Sequence, residues 1–333
     1  MRGSVILGYH RVLASPRVDP LGRCLQVSAS QFQQHMEILA RRFSIVPLED
    51  LVTRLTAGAK TDGMAAVTFD DGYGDNYLCA FPILSQMGIP ATIFLATDYI
   101  EHMRPFWMDR LAWYLCRTAG GILTLPAELG GRIDLTSSER LRQAYLDVRA
   151  KLQVLEDGCQ REHLLNSLGA ADPPDSRPLA WEEIRRMHRQ GIMFGAHTKT
   201  HPSLTALSDA SLRQEIEVSR DLITARLGTE PTIFAYPFSD VDGRVTRMVE
   251  TAGFCGAVTV RAGVCLTDSQ RFLLPRLGVS DSTPLTRELD MLGGGVRSML
   301  GRARPFVLKL KSAIPRPVAG VIRSMRRVKR HRH

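Results

Sequence analysis

The sequence has no run of the roughly 20 consecutive apolar residues that a membrane-spanning helix requires. Its opening residues, 1–10, also lack the apolar core and the small-residue cleavage site of a secretory signal. We therefore expect a cytoplasmic protein. The hydrophobic content of 44% is enough for a sizeable core, which excludes a wholly disordered or fibrous chain.

Cysteine is scarce and scattered. The six cysteines, at positions 24, 79, 116, 159, 255 and 265, include no CxxC pair. A disulfide framework or a cysteine-ligated zinc site would need closer and more regular spacing. We expect free thiols in a reducing compartment.

Acidic residues are absent from the C-terminal segment. Residues 291–333 contain twelve Lys and Arg but no Asp or Glu, so residues 1–290 carry a net charge of about −3 although the whole chain carries +9. We predict a domain over 1–285 and a basic tail over 286–333. The tail is either a disordered extension or a segment that binds an anionic membrane surface. We expect no nucleic-acid partner, because no platform of stacking aromatic residues accompanies the charge.

Short β-rich segments alternate with helical segments through most of the chain, and this pattern predicts an α/β fold with parallel strands. About seven such units favour a barrel or near-barrel. Between about 103 and 178 the alternation stops, and the pattern there predicts a helical insertion within the domain. We predict strands at residues 4–8, 64–69, 91–96, 192–195, 232–236, 255–260 and 272–279.

Chemically active side chains follow, or lie in, several of these strands. Parallel strands in α/β folds end on one face, so residues that follow them meet there. We therefore expect these side chains to share one site. In chain order they are His10, Asp70, Asp71, His197, His201, Tyr236 and Arg276.

The adjacent pair Asp70 and Asp71 favours a metal site. Two carboxylates held close together raise the pKa of one of them, unless a cation separates their roles. Asp71, His197 and His201 would give three protein ligands and an open position, as in catalytic zinc sites, and would leave Asp70 free as a base. Taken alone, Asp-Asp-Gly is more often a simple turn.

Three segments resemble the motifs of a known family. VTFDDGY (67–73), HTKTHP (197–202) and FAYPF (234–238) are similar to the first three motifs of the polysaccharide deacetylases, the NodB-homology enzymes of carbohydrate esterase family 4. The resemblance covers about residues 4–280, apart from the insertion. It implies a deformed (β/α) barrel, a divalent metal that is most often zinc, and hydrolysis of N-acetyl groups on amino-sugar polymers.

Carried over by position, the resemblance assigns roles to five residues. It implies that Asp71, His197 and His201 bind the metal. It also implies that Asp70 is the general base for the attacking water, and that the backbone N–H of Tyr236 stabilises the oxyanion.

Two departures from the family pattern lead to further assignments. The third motif here lacks its usual initial Arg, and the last motif lacks its usual His. A circularly permuted branch of the family carries Tyr-His near its start, as Tyr9 and His10 do here. We predict that His10 is the general acid and that Arg276 pairs with Asp70. The structural alternatives are a buried imidazole for His10 and an ion pair elsewhere for Arg276.

The leading hypothesis is a metal-dependent deacetylase acting on an acetylated amino-sugar polysaccharide or a lipid-linked oligosaccharide. It would serve exopolysaccharide or cell-envelope assembly, at the inner face of the membrane. One alternative is an amidase for a small N-acyl substrate. Another is an inactive sugar-binding member recruited to the membrane, against which the intact Asp70–Asp71 pair argues.

Trp107, Asp109 and Trp113 could line a sugar cleft or form a packing face, and we favour the packing face. The helix that bears Glu215 and Glu217 is expected to present a solvated face.

Overall fold

Parallel strands form the framework of the computed structural model, which describes residues 2–16, 20–21 and 25–293. The strands are β1 (Val5–Tyr9), β2 (Arg11–Leu13), β3 (Gln26–Ser28), β4 (Ser44–Ile45), β5 (Met64–Phe69), β6 (Ala91–Leu95), β7 (Ile122–Thr124), β8 (Arg132–Asp134), β9 (Met193–Ala196), β10 (Ile233–Ala235), β11 (Gly256–Val258) and β12 (Leu277–Gly278). The α-helices are α1 (Ala29–Arg42), α2 (Leu48–Thr56), α3 (Phe81–Met87), α4 (Thr97–His102), α5 (Trp107–Arg117), α6 (Ser138–Gln153), α7 (Gly158–Ser167), α8 (Trp181–Arg189), α9 (Asp209–Leu227), α10 (Gly243–Thr251) and α11 (Leu285–Gly293).

The main sheet has the strand order β11-β10-β9-β6-β5-β1-β12, with β4 beside β5, and all of these pairs are parallel. The segment that carries β12 contacts both β11 and β1, which are the first and last of the other strands in this order. Leu274 bridges to Val258 of β11, and Leu277 pairs with Leu7 of β1. The sheet therefore curls into a deformed barrel surrounded by helices, as predicted. The segment predicted as a strand over 272–279 is regular only at Leu277–Gly278.

The helices around the barrel begin and end where their sequences favour it. Ser28 caps α1 by accepting a hydrogen bond from the backbone N–H of Gln31 at 3.1 Å. Helix α9 starts after Ser208 and ends at Gly228, whose φ of +73° suits a residue without a Cβ. The strands β1 and β6 are buried along their whole length, which explains their continuous apolar sequence.

The predicted insertion is mainly helical and packs as a second core. Helices α5, α6 and α7 contribute to one buried cluster, which includes the fully buried Trp107 of α5 and extends to Tyr99 of α4. The insertion also contains the antiparallel hairpin β7–β8, which the sequence did not indicate. The cap of α6 is Ser137, and the helix begins at Ser138.

The C-terminal boundary of the packed body differs from the prediction. Helix α11 begins at Leu285 and places Leu289 and Leu292 in the main core, so the body extends to residue 293 rather than ending at 285. The twelve basic residues of 291–333 lie outside the described residues. Among the described residues, no helix has the length and apolarity needed to cross a bilayer.

Candidate active site

In the turn after β5, the consecutive carboxylates of Asp70 and Asp71 face different partners. Asp71 has a φ of +74° and Gly72 a φ of +76°, and the amide of Asp70 is held by the carbonyl of Tyr9 at 2.9 Å. Left-handed backbone at a non-glycine residue is uncommon and concentrates at functional sites. A side chain at Gly72 would also meet Leu95, its Cβ lying 2.8 Å from Cδ2.

Asp71, His197 and His201 form one buried cluster, as the sequence predicts. Oδ1 of Asp71 lies 3.5 Å from Nε2 of His197 and 3.4 Å from Nε2 of His201, and the two Nε2 atoms are 3.2 Å apart. Nδ1 of His197 lies 2.7 Å from the carbonyl oxygen of Ala235. With its proton on Nδ1, His197 donates to that carbonyl and directs the lone pair of Nε2 toward the cluster.

The cluster fits a divalent ion. Ligand bonds of about 2.0–2.1 Å at tetrahedral angles place ligand atoms about 3.3 Å apart, close to the three separations observed. Oδ1 of Asp71 is buried and has no hydrogen-bond donor among the described residues. Burial and the neighbouring Asp70 raise the pKa of Asp71 well above its ordinary value, so a bound cation would compensate an otherwise costly charge.

The histidines of the cluster are neutral, as metal ligands must be. Burial lowers the pKa of His197 to about 4, against the opposing charge of Asp70. Burial and the nearby His197 and Arg161 lower the pKa of His201 well below its ordinary value. Both imidazoles therefore have a free lone pair at neutral pH.

Asp70 is held by Arg276, the pairing that the sequence predicts. The guanidinium donates to both carboxylate oxygens at 2.7 Å and to the carbonyl of Thr259 at 3.0 Å. Arg276 is fully buried and Asp70 nearly so. Burial alone would raise the pKa of Asp70, but Arg276, with help from His197, holds it below its ordinary value. An ionised Asp70 can accept a proton but has none to donate.

His10 lies at the opening of the site. Its Nε2 is 3.9 Å from Oδ2 of Asp70, and its side chain is 24% exposed, so it is not an enclosed core imidazole. Burial lowers the pKa of His10, the charge of Asp70 opposes that change, and the charge of Arg276 adds to it. The structure thus brings together six of the seven predicted side chains.

Tyr236 is placed differently from the prediction. Its backbone N–H donates to the carbonyl of Val258 at 3.3 Å, and its ring packs against Phe234 in the main core. The structure therefore does not present this amide as a donor for an oxyanion. The residue of the same motif that reaches the cluster is Phe238, whose ring centroid lies 4.7 Å from that of His201.

A cavity of about 550 Å³ is lined in part by Arg11, the residue that follows His10 in the chain. Its lining includes Arg11, Asp109 and the half-buried Trp113, while Trp107 is fully buried and belongs to the packing core. The packing interpretation thus holds for Trp107, whereas Asp109 and Trp113 line the cavity.

The burial of two charged residues near the cluster was not predicted from the sequence. Glu215, expected on a solvated face, is 5% exposed and accepts hydrogen bonds from Thr200. Arg161 is fully buried and donates to the carbonyl of Thr200 at 2.7 Å. The apolar stripe of α9, with Leu212 and Ile216 on the same face as Glu215, is the signal that could have shown its burial.

Comparison with known proteins places this site in a family. Residues 57–257 match the sequence profile of the polysaccharide deacetylases, and the match spans more than half of the chain. The chain belongs to the polysaccharide deacetylase family. It is therefore a hydrolase of the deacetylase class.

Individual relatives are distant in sequence. The Bacillus subtilis protein YxkH, provisionally named as a polysaccharide deacetylase, is 22% identical over 277 residues, which cover 83% of this chain and 71% of YxkH. The deacetylase PplD of Streptococcus pyogenes, solved with acetate, superposes with a TM-score of 0.61 at 16% identity, covering 87% of this chain and 98% of PplD. IcaB of Ammonifex degensii superposes with a TM-score of 0.56 at 20% identity, covering 89% and 98%. At these identities the two superpositions support the deformed barrel alone.

Proposed function

We propose that this deacetylase removes N-acetyl groups from an amino-sugar polysaccharide or a lipid-linked oligosaccharide, and that it requires a divalent metal. The observation that carries the proposal is the division of roles between two adjacent carboxylates. Asp71 faces two neutral imidazoles at metal-ligand spacing, whereas Asp70 is paired with Arg276.

Asp71, His197 and His201 would hold the metal, for which zinc is the leading candidate. Such an ion, when bound, polarises a carbonyl and lowers the pKa of a water molecule. The protein's own contribution is to keep both imidazoles neutral and to hold the three ligand atoms close together before the metal binds. The hydrogen bond between His197 and the carbonyl of Ala235 serves this purpose by fixing the ring.

Asp70 would act as the general base. Its two hydrogen bonds to Arg276 fix the orientation of the carboxylate and keep it ionised. It can then accept the proton of the water whose oxygen adds to the acyl carbon. Because Arg276 is buried and also held by Thr259, this orientation is set before the substrate binds.

His10 would supply the proton that the departing amine needs when the carbon–nitrogen bond breaks. Its 3.9 Å separation from Asp70 supports a donor and an acceptor that act on the same reacting group. A lowered pKa makes its protonated form a stronger acid. His10 stands on the connection between β1 and β2, at the opening of the site, where a leaving group can be reached.

The neighbouring cavity would receive sugar residues of the glycan. Its lining combines an aromatic ring, Trp113, with the charged side chains of Arg11 and Asp109. Glycans are recognised by this combination of a stacking surface and polar groups that bind hydroxyls.

Metal content and acetate release test the proposal together. The purified protein should contain about one zinc ion per chain and release acetate from N-acetylglucosamine oligomers. Asp71→Asn should lose the metal, while Asp70→Asn should retain metal and lose turnover. Acetate from monomers alone would favour a small-substrate amidase. Absence of both metal and acetate would favour an inactive sugar-binding protein.

A further inference from the structure

The peptide units on either side of Thr200, which precedes the metal ligand His201, are held by two buried charged side chains. On one side, Glu215 of α9 accepts the backbone N–H groups of Lys199 and Thr200 at 2.9 and 2.7 Å. It also accepts the Thr200 hydroxyl at 2.6 Å. Three short bonds on one carboxylate fix this segment of the chain closely.

On the other side, Arg161 reaches the segment from the insertion. Its Nη1 donates to the carbonyl oxygen of Thr200 at 2.7 Å, and its Nε donates to the carbonyl of Leu152 at 3.1 Å. The guanidinium carbon lies 5.0 Å from the ring centroid of Trp107. Arg161 has no exposed surface, so these contacts are made without competition from solvent.

The held segment lies between two strained residues. Thr198 has a φ of +70° and His201 a φ of +56°, in the left-handed region that residues other than glycine adopt uncommonly and that is unfavourable for the β-branched Thr198. The amide of His201 is bonded to Oγ1 of Thr198 at 2.9 Å, which closes the turn locally. Backbone of this kind persists only where surrounding contacts over-determine it. Arg161 and Glu215 supply such contacts from opposite sides of Thr200.

We propose that Arg161 is a positioning residue. Together with Glu215, it fixes the peptide units on either side of Thr200, so that Nε2 of His201 lies at the spacing from Asp71 and His197 that a shared metal ion requires. This inference rests on the proposed metal dependence. It makes the insertion a working part of the metal site, because α7 carries Arg161 and α5 carries Trp107. The indole N–H of Trp107 lies 3.4 Å from the carbonyl oxygen of His201.

The planar guanidinium explains why arginine occupies this position. It donates in fixed directions to carbonyls of two separate segments, Leu152 and Thr200, which the single ammonium of lysine cannot reproduce. Arg161→Lys therefore preserves the positive charge and removes the geometry. A matched control is Arg110→Lys. Arg110 is a buried arginine of the same insertion, bonded to Glu162, Asn166 and Ala170.

Zinc affinity by chelator competition on the full-length protein tests the inference. Removal of outer contacts to metal ligands commonly lowers metal affinity by about 10–100-fold. We expect Arg161→Lys to lose affinity in that range, with a lower kcat, and Arg110→Lys to stay within about twofold of wild type. The melting temperature of the metal-free proteins should fall in both variants, which separates positioning from general stability.

A second variant covers the case in which Arg161→Lys does not fold. Glu215→Gln keeps the shape of the side chain but weakens its hold on Thr200, and it should lower zinc affinity in the same direction. Wild-type zinc affinity in whichever variant folds would overturn the inference. Absence of zinc binding by the wild-type protein would overturn the proposed function as well, so the two failures are distinguishable.

Discussion

Asp70 and Asp71 are neighbours in the chain but have opposite electrostatic surroundings. Burial and Asp70 raise the pKa of Asp71. Burial also acts to raise the pKa of Asp70, but Arg276, together with His197 and His10, outweighs it and lowers that pKa. Environments that separate the pKa values of two carboxylates assign them different chemical roles. One residue is then suited to hold a cation and the other to accept a proton.

Arg276→Met should move the acid limb of the pH–rate profile to higher pH. The guanidinium lowers the pKa of Asp70, so its loss raises that pKa, and the proposed base becomes protonated at a higher pH. Removing one member of a buried ion pair should also lower the free energy of unfolding by about 3–5 kcal/mol. The measurements are kcat/KM against pH and denaturant unfolding.

The sign of the stability effect is fixed by the direction of the same shift. A carboxylate whose pKa is lowered by folding stabilises the protein above its unfolded pKa, and this stabilisation is lost as pH falls through the folded value. The difference in stability between wild type and Arg276→Met should therefore shrink in acid. An unshifted acid limb would contradict a role for Arg276 in setting the base.

His10→Ala should lower kcat by about 100-fold or more, the usual effect of losing a general acid. His10 is not a member of the proposed metal cluster, so zinc content should stay that of the wild type. Acetate release and metal analysis on the same preparation check both expectations. The control is His188→Ala. His188 is half-buried, and its Nδ1 lies 3.3 Å from the carbonyl oxygen of Ile192. Near-normal turnover by His10→Ala would refute the assignment.

At the scale of elements, the position of each strand determines where the loop after it starts. Strand β9 carries Gly195 and leads directly into His197. A Cβ at Gly195 would lie 2.8 Å from the carbonyl oxygen of Ile233 on β10, and would also meet the ring of Phe94. The backbone oxygen cannot move away without separating the strands, so the close packing of the barrel and the position of His197 depend on one another.

Gly195→Ala should therefore reduce both stability and metal binding. Overpacking of this kind costs about 1–3 kcal/mol or more, and it would displace the strand that positions His197. Gly278→Ala is the matched control, because a Cβ at Gly278 of β12 meets nothing within 4 Å. Denaturant unfolding and zinc titration of both variants provide the measurements. Equal stability of the two variants would contradict the packing argument.

At the scale of the whole molecule, charge is divided between the packed body and the C-terminal segment. All twelve Lys and Arg of residues 291–333 fall after 293, where α11 ends, and the remaining residues carry a slight net negative charge. We propose that this basic segment brings the enzyme to an anionic membrane surface. Each basic residue near such a surface contributes on the order of 1 kcal/mol of attraction.

Deleting 294–333 should leave turnover of soluble oligomers unchanged and weaken binding to vesicles that contain anionic lipid. The cut falls after 293 because Leu289 and Leu292 are buried in the main core, and an earlier cut would expose that core. Co-sedimentation with anionic and with neutral vesicles is the measurement. Equal binding of both proteins to anionic vesicles would refute the membrane role.

The sequence by itself determined the features that depend on short segments. The alternation of strand and helix patterns defined the barrel strands, the capping residues Ser28 and Gly228 set helix ends, and the motifs around Asp71 and His197 pointed to the cluster that these residues form with His201. These signals are local, because apolar periodicity, capping and motif spacing each act within about twenty residues of chain. The pairing of Arg276 with Asp70 was also reached, through the resemblance and the absence of the usual Arg and His.

The tertiary structure alone decided which polar groups are engaged by distant partners. The amide of Tyr236 is paired with Val258 of the next strand, so its predicted role is not available in this structure. Glu215 is buried, and Arg161 meets Thr200 across 39 positions of sequence. A hydrogen bond between such distant residues leaves no local pattern. It exists only because the packing of the insertion against the barrel brings the donor to the acceptor and excludes water from both.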